Sequence, residues 1–146
     1  MVFIFNIDDF IAFLTGKVAK RLSDRLEKQL LEFGITRHQW LALYHIKCSG
    51  EITQASLAEK MSIKEPSLVR IVDKLESGGL VLRNMSPFDK RIRLLSLTPA
   101  GESMERRLTD CAEKFKDHVS EGITAEQLDV YKYVLETMSK NADYLP

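Results

Sequence analysis

The sequence predicts a mainly α-helical fold with one small β-hairpin wing: a winged helix-turn-helix flanked by N- and C-terminal dimerisation helices. Three observations carry that reading. Apolar residues recur at steps of three and four along most of the chain. Two short helical patterns in the middle are joined by a tight turn, Ser62-Ile63-Lys64. Directly after them, 84-NMSPFDKRIRLLSLT-98 sets a polar, charge-dense turn between two apolar runs, the pattern of a hairpin.

The elements follow in order. Ile7, Phe10, Ile11, Leu14, Val18, Leu22, Leu26, Leu30 and Leu31 form the apolar stripe of a long first helix that ends near Gly34. Thr36-x-x-Gln39 is a capping box, so a second helix opens there, with Trp40, Leu41, Leu43, Tyr44 and Ile46 as its apolar face, and Ser49-Gly50 breaks it. Thr53 caps a short helix through about Met61, with Leu57, Ala58 and Met61 inward. The next helix begins at Glu65-Pro66, where proline's missing N–H is harmless, and runs to Gly78-Gly79, a left-handed C-cap. Its buried stripe is Leu68, Ile71, Val72 and Leu75, which puts Pro66, Ser67, Arg70 and Lys74 on the opposite side. After the hairpin, Thr98-Pro99 starts a helix with Met104, Leu108, Cys111, Ala112 and Phe115 along its seam, ended by Gly122. Thr124-x-x-Gln127 caps a last helix carrying Leu128, Tyr131, Val134, Leu135 and Met138.

Composition narrows the class. At 146 residues, with 45% apolar and 29% charged, the chain is an ordinary one-domain globular protein. Its 21 basic and 21 acidic residues cancel, but not uniformly. Residues 60–93 hold eight Lys/Arg against four Asp/Glu, +4, while residues 100–146 hold six against ten, −4. The positive third is where an anionic partner docks. Cys48 and Cys111 lie far apart, with no Cys/His cluster, which excludes a disulfide framework or zinc site and fits a structural role in a reducing cytosol. No membrane span or signal sequence is expected, so the localisation read from the sequence is cytoplasmic. His38, His45 and His118 show no metal-ligand spacing, and no nucleophile–base pair or Gly-rich phosphate loop occurs; neither an enzyme nor a cofactor is expected. The apolar start, with Phe3, Ile4 and Phe5, and the long apolar stripes of the terminal helices are most economically buried by a second copy.

The charged middle carries the candidate site. An α-helix fits the DNA major groove with its N-terminal residues against base edges. Arg70 can fork onto guanine, Ser67 bond a base or phosphate, and Lys74 meet a phosphate. A hairpin beside that helix reaches the adjacent minor groove, where arginine inserts; Arg91 is the candidate for its tip, with Lys90 and Arg93 on neighbouring phosphates. Asp89 is the wrong charge for DNA and is expected to orient an arginine or cap the turn, with Asp73 doing similar work from the helix. The plainer reading is a solvated helix face and a charged turn that blocks edge pairing. Its functional counterpart is a winged-helix protein-interaction module whose basic face meets an acidic partner and binds no specific DNA.

The order Thr36-x-x-x-Trp40, Leu57-Ala58-Glu59-Lys60, Pro66-Ser67-Leu68-Val69-Arg70, Leu75-Glu76, Gly79-Leu80, Asp89-x-Arg91 and Leu97-Thr98-x-x-Gly101 resembles the MarR family over roughly residues 7–140. Within it, IKEPSLVRIVDKLESGGLV and ITRHQWLALYHI are most similar to the SlyA branch. The resemblance implies a homodimeric transcription regulator on pseudo-palindromic double-stranded DNA. Arg70 would read the major groove and Arg91 the minor groove. Residues 1–34 and 99–146 would interdigitate as the dimerisation region around a DNA-binding region, residues 35–98. It also implies a small phenolic or aromatic carboxylate ligand, such as salicylate, in a crevice lined by Lys20, Ser23, Trp40 and Tyr44 with Arg70. Lys20 and Ser23 stand where the SlyA branch tends to have arginines, and Tyr44 where it has histidine; core packing explains Trp40 and Tyr44 equally well.

Overall fold

A computed structural model describes residues 4–146, so Phe3 of the apolar start lies outside the described residues. They fall into two compact units, one up to Glu113 and the other Lys114–Pro146.

In the first unit, α1 (Ile11–Leu30) is shorter at both ends than its apolar stripe. Asn6 caps a separate 3₁₀ turn, Ile7–Asp9, by accepting the Asp8 N–H at 3.0 Å, and extended backbone at Phe10 (ψ 109°) stops that turn from running into the helix. At the other end Leu31–Phe33 tighten into a 3₁₀ turn, and Gly34 closes it at φ 74°. Then α2 (Arg37–Ser49) opens on the capping box as expected, the Thr36 hydroxyl accepting from Gln39 N–H and the Gln39 side chain from Thr36 N–H. Its core residues are Ala42, Leu43 and Ile46, whereas Trp40 and Leu41 are half-buried and Tyr44 is exposed. The expected apolar face thus holds at Leu43 and Ile46, with Trp40 packed against the core, while Ala42 joins it and Tyr44 does not.

Next, α3 (Gln54–Lys60), capped by Thr53, and α4 (Glu65–Ser77) form the helix-turn-helix around Ser62, held at φ 53°. The end of α4 is a Schellman motif: Leu80 N–H donates to Leu75 C=O and Gly79 N–H to Glu76 C=O, with Gly79 at φ 73°. The hairpin is β2 (Val81–Met85) against β3 (Arg93–Leu97), running from Val81 opposite Leu97 to Met85 opposite Arg93. Asn84, Met85 and Arg93 are thus strand residues, and the turn is 86–92. A third strand, unforeseen, is β1 (Ile52–Thr53), which pairs antiparallel with β3 through Ile52–Leu95 and Thr53–Leu94. Two residues carry no alternation, so only the pairing reveals it.

One core holds these parts together. Leu30, Leu43, Ile46, Leu57, Leu68, Val72, Leu75, Val81, Leu95 and Leu108 are almost wholly buried within it. Leu108 belongs to α5 (Pro99–Val119), whose start is fixed by the Leu-Thr-x-x-Gly stretch. Thr98 N–H donates to Leu80 C=O at 3.1 Å, and the Thr98 hydroxyl donates to Gly79 C=O and accepts Gly101 N–H. Gly101 lies so close that a Cβ there would overlap the Leu80 carbonyl oxygen. Charge also enters the core: Glu105, its side chain 3% exposed, accepts from Lys47 of α2 and from Thr109, and Thr109 accepts the Trp40 indole N–H at 3.2 Å.

In the second unit, α6 (Ala125–Ala142) opens on the predicted capping box of Thr124 and Gln127. None of its residues is buried. Among the described residues no helix is long and apolar enough to cross a membrane.

Candidate nucleic-acid interface

The exposed side of α4 follows from its buried one. With Leu68, Val72 and Leu75 in the core, Pro66, Ser67, Arg70, Asp73 and Lys74 all face outward. Lys64, the N-cap, makes no side-chain cap, which leaves the positive end of the helix dipole open.

The wing is attached to this helix by a residue that the sequence reading passed over. Arg83 on β2, its side chain 18% exposed, donates to Asp73 at 2.9 Å and lies 3.7 Å from Glu76. Asp73 thus holds an arginine of the strand, not of the tip. Only the pairing register, which turns Arg83 toward the core side with Leu95, could have signalled it.

The tip is built from short-range bonds. Ser86 N–H donates to Ile92 C=O, Ile92 N–H to Asp89 C=O, and Phe88 N–H to the Ser86 hydroxyl. Asp89 accepts three bonds from Arg91, from its backbone N–H at 3.0 Å and its guanidinium at 3.1 and 3.2 Å. The Arg91 side-chain bonds, then its backbone N–H, hold the Asp89 carboxyl below the ordinary carboxylate range. Arg91 itself stays 91% exposed.

These pairs change the electrostatics of residues 60–93. Asp73 and Glu76 are absorbed by Arg83, and Asp89 by Arg91. Among the described residues, Lys60, Lys64, Arg70, Lys74, Lys90 and Arg93 enter no ion pair, so the local +4 is carried by cations that no acid of this segment holds.

Of the five residues expected to line one crevice, Trp40 and Tyr44 are neighbours, their rings 6.4 Å apart. Arg70 lines a cleft of about 460 Å3 with Glu27, Thr36, His38, Gln39, Ile63, Ser67, Ile71 and Lys74, which includes none of Lys20, Ser23, Trp40 or Tyr44. Lys20 bonds Asp24 at 2.8 Å in a groove with Lys17, Arg21 and Arg25, and that bond raises its ammonium pKa. Trp40 is tied to Thr109. Tyr44 packs edge-on against His45, and a hydrogen bond with Cys48 is the main cause that raises its phenol pKa. Cys48 is exposed and Cys111 half-buried. Among the described residues no cluster of His, Cys, Asp or Glu is placed to hold a metal.

Residues 35–92 match the sequence pattern of the MarR family. That match covers the winged-helix region of the chain. The wider chain has the fold of MarR-family structures. A cysteine-to-serine mutant of MarR from E. coli, complexed with operator DNA, is 26% identical with TM-score 0.83, covering 94% of this chain and 99% of that one. Wild-type apo MarR from E. coli is 25% identical with TM-score 0.75, covering 94% and 98%. CouR from Rhodococcus jostii, bound to p-coumaroyl-CoA, is 24% identical with TM-score 0.81, covering 91% and 94%.

Proposed function

We propose that this protein is a cytoplasmic transcription regulator of the MarR type, nearest its SlyA-like branch, that binds pseudo-palindromic duplex DNA as a homodimer. The observation that carries the reading is the pairing of an outward α4 face, Ser67, Arg70 and Lys74, with a wing tip whose one acid, Asp89, is bonded to Arg91. Arg70 forks onto a guanine in the major groove while Lys74 and Pro66's helix end meet phosphates. Arg91 enters the minor groove, and Lys90 and Arg93 contact the flanking backbone. Residues 1–34 and 99–146 supply the dimer interface, setting two α4 helices roughly 34–36 Å apart. The MarR–operator complex supports this partner, being a DNA-bound relative whose fold the chain shares.

A small aromatic carboxylate belongs, on this reading, in the cleft that Arg70 lines. Its volume of about 460 Å3 suits a small ligand, Arg70 and Lys74 offer cations, and Ile63 and Ile71 a flat apolar wall. Salicylate should then weaken or strengthen DNA binding by wild type and lose that effect on Ile71→Arg.

The test is selection of duplexes from a random library, followed by binding across a salt series. An inverted repeat with half-sites about 10 base pairs apart is expected. Arg70→Ala should relax discrimination by about 1–3 kcal/mol at one base pair, and Arg91→Ala should weaken binding to all sequences and lower the salt slope by about 1. A library without enrichment, or both variants binding like wild type, overturns the reading in favour of an acidic protein partner.

A further inference from the structure

We propose that Phe88 is an apolar wedge that enters the minor groove beside Arg91 and selects a flexible pyrimidine–purine step there. The inference rests on the DNA-binding reading above and adds to it a residue that chooses sequence without hydrogen-bonding a base.

Phe88 is 97% exposed, more than any other large apolar side chain among the described residues. It is not on a frayed end. Pro87 restricts the backbone before it, its own N–H is bonded to Ser86, which is buried, and Asp89 after it is locked to Arg91. The turn between β2 and β3 thus holds a bare aromatic ring outward. A lone exposed ring is ordinary on a protein surface, so any partner has to be read from the residues around this one.

Its neighbours indicate the chemistry of that partner. Asp89, bonded to Arg91, follows Phe88, then Lys90 and Arg91, and Arg93 begins the return strand, so the ring belongs to a turn rich in cations. A polyanion with flat apolar surfaces inside a charged backbone satisfies both: phosphates for the cations, a base step for the ring. Duplex DNA is that polymer, and side chains such as Phe act there by partly unstacking a step from the minor groove. A phenyl ring reads no donor or acceptor pattern. It discriminates by how readily a step opens, which favours TA and CA/TG over stiff A-tract or G·C steps.

The experiment uses duplexes recovered from a random library by the full-length wild-type protein, with 2-aminopurine placed at the flanking step that the wing faces. Wild type should brighten the 2-aminopurine and bend the duplex by end-to-end energy transfer. Phe88→Ala should lose both, bind the TA-flanked duplex about fivefold to tenfold more weakly, the low end of what one base–aromatic stack is worth, and no longer prefer TA over AA. Phe88→Trp should keep the preference. Because the side chain touches solvent, Phe88→Ala folds as wild type does, and circular dichroism checks this. If wild type recovers no duplexes, the DNA-binding reading and the wedge fall together. If wild type binds specifically but Phe88→Ala matches it in affinity, bend and step preference, the wedge alone is overturned, and Phe88 faces a protein or nothing.

Discussion

The winged region and the terminal helices are written in the same amphipathic code, yet the outcomes are opposite. Within the wing-bearing region, Leu43, Leu57, Leu68, Leu75 and Leu95 vanish from solvent into one shared core. On α6, Leu128, Val130, Tyr131, Tyr133 and Val134 all remain exposed, and on α1 so do Ile11, Phe13, Leu14, Val18 and Leu22. Periodicity identifies an apolar face but not what covers it. The first region covers itself; the second needs another surface, which we propose is a second copy.

The comparison can be broken by mutation. Leu68→Ala should produce the largest loss, about 2–5 kcal/mol, read as a lower denaturant midpoint at unchanged slope and independent of protein concentration. Val134→Asp should behave otherwise, weakening self-association by about tenfold or more in sedimentation, since a buried valine is worth roughly 1.5–3 kcal/mol. If Val134→Asp unfolded the chain at every concentration, α6 would be core and the contrast would vanish. Gly101→Ala should cost about 1–3 kcal/mol through its overlap with Leu80, although it adds only one methyl group to a helix. The smallest effect is at the tip. The Asp89 carboxyl, followed by NMR, should titrate below the ordinary aspartate value and return toward it in Arg91→Gln. Because its folded pKa is depressed, the Asp89–Arg91 contribution is present above the unfolded value and is lost as pH falls through the folded one. DNA binding should therefore not vary near neutral pH on account of this pair.

Much of the fold was legible because local rules wrote it. Both capping boxes lie where Thr36/Gln39 and Thr124/Gln127 put them, and Gly79 closes α4 in the left-handed region. Pro66, Ser67, Arg70 and Lys74 face outward because Leu68, Val72 and Leu75 do not. What escaped was non-local. The strand at Ile52–Thr53 exists only through its pairing with β3, and the Arg83 clamp only through the register that turns Arg83 toward α4. That the cleft lined by Arg70 takes Glu27, Thr36 and Gln39 as its other walls is likewise a matter of which helix faces which, and spacing along one chain does not encode it.

The junction at Thr98 has a mechanical consequence. Two bonds and a glycine without clearance join the start of α5 to Gly79 and Leu80, just past the end of α4. A swing of α5 finds no slack there to take it up. Torque applied to that helix is delivered to the link between α4 and the wing, so the orientation of these two elements is set from a distance, by whatever holds α5.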